Sequence, residues 1–268
     1  MSSCHTINVG DSYFLRGYKT TDNEIFNCTA KGTTSMAHAW GRVVFSTGPY
    51  GNRIRRLRSE SPVIAVSFWH DRESNQTATI CSKDNRFDNC IFEGITQLAL
   101  DFMWVADVTD VYGNGPTNPG VYDVDDMQFV NCNFIGTTGS KFARRNREGS
   151  GNIVQNCIVQ GFDGLYTFYD RTGYSSPPYT IGLSFKYCCF DDVSSDFDPI
   201  SIDTANGNFE DDPIFLDSDY NITASSPLTS PCVDAGDPAT SSSVSPKDYA
   251  GDTRPVNGTY DIGAQEAP

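Results

Sequence analysis

The chain is short of basic charge, of histidine and of long apolar runs. Its 268 residues carry 19 Lys and Arg against 34 Asp and Glu, a formal net charge of −15. So acidic a surface excludes DNA and RNA as main partners, because phosphate binding needs a basic face. It also works against docking on anionic lipid, and it keeps an elongated molecule soluble. No segment is long and apolar enough to insert in a membrane as a helix, and no helix of useful length shows itself. The histidines, His5, His38 and His70, lie far apart, none beside a Ser or Cys nucleophile motif, and G-x-S-x-G is absent. Nine cysteines are present, but no C-x-x-C spacing that would suit a metal. Their number is odd, and Met1-Ser2-Ser3-Cys4-His5 has neither the charged start nor the apolar core of a secretory signal. The expectation is buried, reduced thiols in a protein made in a cytoplasm.

What the chain does have is self-similarity. Five times it spells an apolar residue, any residue, usually Asn, then Cys, an apolar residue two on and usually Gly two further. The copies are Ile25-Phe26-Asn27-Cys28 to Gly32, Phe87-Asp88-Asn89-Cys90 to Gly94, Phe129-Val130-Asn131-Cys132 to Gly136, Val154-Gln155-Asn156-Cys157 to Gly161, and Phe185-Lys186-Tyr187-Cys188 to Asp192. Recurrence at irregular multiples of about 20–30 residues marks a repeat architecture. Alternation along a strand puts Cys and the apolar residue two later on one face. The apolar residue three before Cys reaches that same interior only if the chain turns a corner between them. Asn suits such a corner because it accepts left-handed dihedrals. Two short strands joined at an Asn corner describe one coil of a parallel β-solenoid. Stacked coils would align Cys28, Cys90, Cys132, Cys157 and Cys188 inside, and would let Asn27, Asn89, Asn131 and Asn156 bond in a ladder.

The chain reads as one domain, residues 1–268: a lead-in segment over 1–24, coils with loop outgrowths over 25–210 and a closing segment over 211–268. Residues 41–86 hold at least one coil without the phrase, expected around Pro62-Val63-Ile64-Ala65-Val66-Ser67-Phe68. Val111 to Gly120 is turn chemistry, and 162–180 is an outgrowth rich in aromatics. The closing segment reads Asp212-Pro213-Ile214-Phe215, Ser226-Pro227-Leu228, Val233-Asp234-Ala235-Gly236-Asp237-Pro238, Arg254-Pro255 and Asp261-Ile262-Gly263-Ala264-Gln265-Glu266. It resembles the end segment of right-handed parallel β-helix proteins of the pectate-lyase-like superfamily and of bacterial surface and phage β-helix type. That resemblance implies an all-β, single-stranded right-handed parallel β-helix, and a closing segment that is structural rather than catalytic.

Three groups could carry function. Asp191, Asp192, Asp196 and Asp198 follow the fifth phrase. Paired carboxylates there would suit a glycoside hydrolase, and an Asp cluster also suits a solvated turn or a Ca²⁺ site. Two basic islands stand against the acidic background: Arg53, Arg55, Arg56 and Arg58, and Arg144, Arg145 and Arg147. Strict alternation would put Arg53, Arg55 and Leu57 on one face, with Ile54, Arg56 and Arg58 on the other. Clustered Arg suits bidentate contacts to an acidic partner, or simply pairs with nearby Asp and Glu. The outgrowth with Tyr166, Phe168, Tyr169 and Tyr174 could stack on sugar rings or bury against another subunit.

This fold hosts enzymes, adhesins and passive structural parts, so it does not fix the function. The leading expectation is a structural or binding protein of a phage virion, a capsid decoration protein or a tail spike or fibre component. It would be made in the host cytoplasm and would attach to virion proteins or to a cell-surface glycan. The alternatives are a polysaccharide lyase or glycoside hydrolase, extracellular or at a bacterial surface, and a surface adhesin module. No cofactor is expected apart from Ca²⁺ at the Asp cluster. Neither nucleic acid nor membrane insertion is expected, and a homo-oligomer stays open.

Overall fold

The structure, a computed structural model, describes residues 4–6, 15–18, 22–31, 43–46, 50–69, 82–102, 124–145, 150–164, 166–168, 183–191, 204–224, 229–240, 246–256 and 258–267. Among them every strand-to-strand ladder is parallel and the one helical element is a 3-10 turn at Thr204–Asn206. A 12-stranded sheet bends along the phrase's corner into two faces, and a 6-stranded sheet makes a third. The first face takes the leading halves of β3 (Glu24–Lys31) and β5 (Arg53–Glu60), then β8 (Arg86–Asp88), β12 (Gln128–Val130), β15 (Asn152–Gln155) and β18 (Leu183–Lys186). The second takes β1 (Cys4–Thr6), the trailing halves of β3 and β5, then β9 (Ile91–Ile95), β13 (Asn133–Gly136), β16 (Ile158–Gln160), β19 (Cys189–Phe190) and β20 (Phe209–Glu210). The third is β2 (Leu15–Tyr18), β4 (Val43–Ser46), β6 (Ile64–Trp69), β10 (Leu98–Phe102), β14 (Lys141–Arg145) and β17 (Tyr166–Phe168). A short pair, β7 (Ser82–Lys83) and β11 (Val124–Asp125), precedes the first face.

The corner has a definite backbone cause. Asn27, Asn89, Asn131 and Asn156 all sit at positive φ, 54°, 52°, 53° and 52°. One left-handed residue turns the strand, so the apolar residue before it and the cysteine after it both point inward. Phe87, Phe129, Val154, Cys90, Cys132, Cys157 and Cys188 are all fully buried, and Cys28 is nearly so. Each later thiol donates to a carbonyl of the preceding coil: Cys90 to Ile54 at 3.7 Å, Cys132 to Phe87 at 3.6 Å, Cys157 to Phe129 at 3.4 Å and Cys188 to Val154 at 3.3 Å. Beside this column Phe87 stacks on Phe129 at 5.0 Å, and Phe92 on Phe134 at 5.1 Å. Like side chains in register fill the interior with repeated contacts of one geometry.

Two expectations change. The coil without the phrase turns at Ile54-Arg55-Arg56-Leu57, where Arg56 holds φ 53° and Leu57 pairs in register with Cys28. Pro62 to Phe68 belongs to the same coil, leading into and forming β6 on its third face. Strict alternation therefore fails in β5. Ile54 and Leu57 are both inward and fully buried, while Arg56 stands at the corner. The corner slot requires only the dihedral and the inner slot only apolar volume, so Arg and Leu can replace Asn and Cys.

The amide ladder also runs along another edge. Asn23 Nδ2 donates to Asn52 Oδ1 at 3.0 Å, Asn52 Nδ2 to Asn85 Oδ1 at 2.8 Å, and Met127 N to Asn152 Oδ1 at 3.0 Å. These residues follow a separate left-handed corner formed by Asp22, Gly51, Asp84, Asp126 and Gly151. Of the phrase's own asparagines, Asn156 donates to Asn131 at 3.1 Å, while Asn89 and Asn156 also bond the closing segment.

Candidate functional site

The closing segment lies as a non-repeating plate on the outer side of the second face. Ile222, Cys232, Ile262 and Ala267 bury against Ile158 and Cys189, which point outward from β16 and β19. Gly263 has φ 106°, and a Cβ there would stand 2.6 Å from Asn133 Oδ1 and 2.8 Å from Ile158 Cδ1. Only glycine allows the plate to approach so closely. The polar residues of the motif tie the plate down. Arg254 Nε meets Glu266 Oε1 at 2.6 Å with both side chains buried, and Arg254 Nη1 donates to Asn89 Oδ1 at 2.6 Å. Asp261 accepts from Asp234 N and Ala267 N, each at 2.6 Å, and burial pushes its carboxyl up to about 6. Asp237 accepts from Lys186 Nζ at 2.6 Å and from Gln155 Nε2 at 2.9 Å. Asp248 Oδ1 caps the turn at Gly251 and Asp252. Charged residues that look chemical in the sequence thus act as fasteners.

The first basic island is largely engaged within the molecule. Arg58 contacts Glu93 and Asp219, each at 2.6 Å, and Glu60 at 3.7 Å. Burial alone would lower its pKa, but the bonds to Glu93 and Asp219 hold it above the usual guanidinium range. Arg55 pairs with Glu24 at 2.8 Å and approaches Asp88 at 3.6 Å. Asp88 is fully buried beside Arg86. Burial pushes its carboxyl up, and Arg86 opposes that rise. Arg53 projects into solvent, and Arg56 is half-buried at its corner.

The second island and part of the aromatic outgrowth come together on the third face. β10, β14 and β17 are neighbours. Asp101, Arg144 and Thr167 share one rung, Phe102, Arg145 and Phe168 the next, and Ala143 pairs with Tyr166. Asp101 is fully buried. Its signal in the sequence is a lone acid inside the apolar run Leu98-Ala99-Leu100-Asp101-Phe102. Arg147, Tyr169, Tyr174, Asp192, Asp196 and Asp198 lie outside the described residues. Asp191 is half-buried, and its Oδ2 accepts from Gly161 N at 2.9 Å, so it closes a turn.

Alternation assigns the rung of Asp101, Arg144 and Thr167 to one side of the sheet and the rung of Phe102, Arg145 and Phe168 to the other, so an arginine stands beside a carboxylate position in the first and beside ring-bearing positions in the second. Guanidinium groups meet carboxylates or hydroxyls, and rings stack on pyranose faces. Among the described residues no group of three or more His, Cys, Asp or Glu could hold a metal ion. Compared with protein-family models, curated proteins and solved structures, the chain matches none.

Proposed function

We propose that the stack is a right-handed parallel β-helix and that the protein is a structural and binding component of a phage virion, attaching to a cell-surface glycan or a virion partner. Parallel crossovers within a sheet are right-handed in about 98% of cases, which supports the hand. The observation that carries the binding role is the register of β14 on β17, which sets Arg145 beside Phe168 in one rung and Arg144 beside Thr167 in the rung before it. The plate supports the structural role. Arg254 and Asp237 bond the coils while Asp248, Asp261 and Glu266 brace the plate itself, which suits a rigid part exposed outside a cell.

One observation favours the second reading, a carbohydrate-active enzyme. Asp101 is buried in the rung of Arg144, and a carboxylate beside an arginine can act on an acidic sugar.

The test is binding of purified protein to acidic and neutral bacterial surface polysaccharides, with chain length of the glycan followed in the same tubes. Arg145→Glu and Phe168→Ala, partners in one rung, should each weaken binding about tenfold or more if they anchor the ligand, while Arg53→Glu on the first face leaves it unchanged. All variants are melted in parallel. Equal binding by folded wild type, Arg145→Glu and Phe168→Ala refutes the third face as the site. Shortening of the glycan that stops in Asp101→Asn replaces the virion reading with the enzyme.

A further inference from the structure

Seven cysteines with described side chains fall into two arrangements. Cys28, Cys90, Cys132, Cys157 and Cys188 form the inner column, with Leu57 taking the place between Cys28 and Cys90, and each thiol is directed into its own coil or the one before. Cβ vectors that run parallel do not give the crossed geometry of a disulfide. Cys189 and Cys232 differ. Cys189 points outward from β19, and Cys232 comes down from the plate, so the two side chains enter one buried layer from opposite sides, with the Cys189 thiol donating to Asp211 O at 3.3 Å. Both side chains are buried, in an apolar layer of Ile158, Ile222, Ile262 and Ala267.

We infer that Cys189 and Cys232 are an oxidisable latch that locks the closing plate to the end of the coil stack when the protein meets an oxidising environment. The two thiols belong to different layers, so a bond between them would prevent the plate from lifting off without opening the coils beneath. Access requires the plate to open briefly. Its edge residues Val233 and Ala235 are only partly buried against the layer, and local opening is the ordinary route to buried groups. Contact with Cys232, together with burial, holds the Cys189 thiol well above its usual range, which keeps the pair inert while the plate is closed.

With glutathione disulfide as oxidant the chemistry balances. The Cys189 thiolate attacks one sulfur of the oxidant, forming a mixed disulfide and releasing one glutathione thiolate. The Cys232 thiolate then attacks the Cys189 sulfur and expels the second. Two protein thiols and one glutathione disulfide become one protein disulfide and two glutathione thiols.

The test is incubation of the full chain with glutathione disulfide under native conditions, followed by alkylation, proteolysis and mass spectrometry. The expected product is a single Cys189–Cys232 cross-linked peptide, two hydrogens lighter than its parts, with the inner column still alkylated as thiols after denaturation. The oxidised protein should melt higher than the reduced one, and added dithiothreitol should reverse the difference. Cys232→Ser and Cys189→Ala should each abolish both the cross-link and the oxidant-dependent shift. A cross-link within the inner column overturns the inference. So does complete alkylation of Cys189 and Cys232 after oxidation under conditions where hydrogen exchange shows the plate opening.

Discussion

Removing Arg254 should release the plate. The guanidinium is buried, paired with Glu266 at 2.6 Å, and bonded to Asn89 Oδ1 at 2.6 Å, Asp261 O at 3.0 Å and Gly263 O at 3.1 Å. Arg254→Met keeps similar volume but leaves the Glu266 carboxylate buried without its counter-charge. Breaking one side of a buried pair costs about 3–5 kcal/mol. In a chain of this size each kcal/mol moves the melting temperature by about 2–4 °C, so a fall of about 10 °C follows. Glu266 still accepts from Val256 N and Asp261 N. Adding Glu266→Gln should therefore recover part of the loss by removing the orphaned charge. Arg254→Lys should fall between, since it keeps the charge but cannot reach Glu266, Asn89 and the two carbonyls at once. Urea melts with limited proteolysis separate plate from coils: cleavage should begin within 211–267 while the strands from β8 to β16 stay protected. A loss under about 1 kcal/mol for Arg254→Met, or a double variant no better than the single, would refute the fastening argument.

At the corner, Asn131→Ala should cost about 1–2 kcal/mol in chemical denaturation. It places a Cβ residue without a side-chain bond at φ 53° and removes the acceptor of the Asn156 amide. Asn131→Gly should restore the backbone share only, and equal losses for the two would show that dihedral strain plays no part. Asp261 makes stability depend on pH. Its carboxyl is raised by burial from 3.8 to about 6, so the native state holds the proton more tightly than the unfolded chain. Stability from this group is greatest below pH 3.8, falls as pH rises to about 6 and is flat above. Melting temperatures across that window should show the slope, and Asp261→Asn should flatten it; an unchanged slope refutes the assignment.

The first basic island shows where sequence alone falls short. Arg55 looks from the sequence like a free docking group, but its register sets it beside the buried Asp88 and against Glu24. Arg55→Glu would set two carboxylates together and probe stability, not recognition, whereas Arg53 is the exposed member. By contrast, the pairing of Arg144 with Asp101 and of Arg145 with Phe168 could not be read locally. It depends on how much chain each loop takes up before returning to the third face, and loops of unequal length carry no periodic signal. The same holds for the plate: Gly263 and Arg254 are legible as a motif, but not as partners of Asn133 and Asn89, which lie far away along the chain.

By itself, then, the sequence determined the coil. A left-handed Asn between two inward-pointing side chains is a local dihedral requirement, and its repetition writes the stack directly into the order of residues. The extension to Arg56 was hidden because that slot constrains conformation rather than side-chain chemistry. The tertiary structure alone decided which polar residues are fasteners and which share a rung of the third sheet. Neighbours in a parallel stack are set by register between coils, and the energetics of a charge depend on what lies across the sheet from it rather than beside it in the chain.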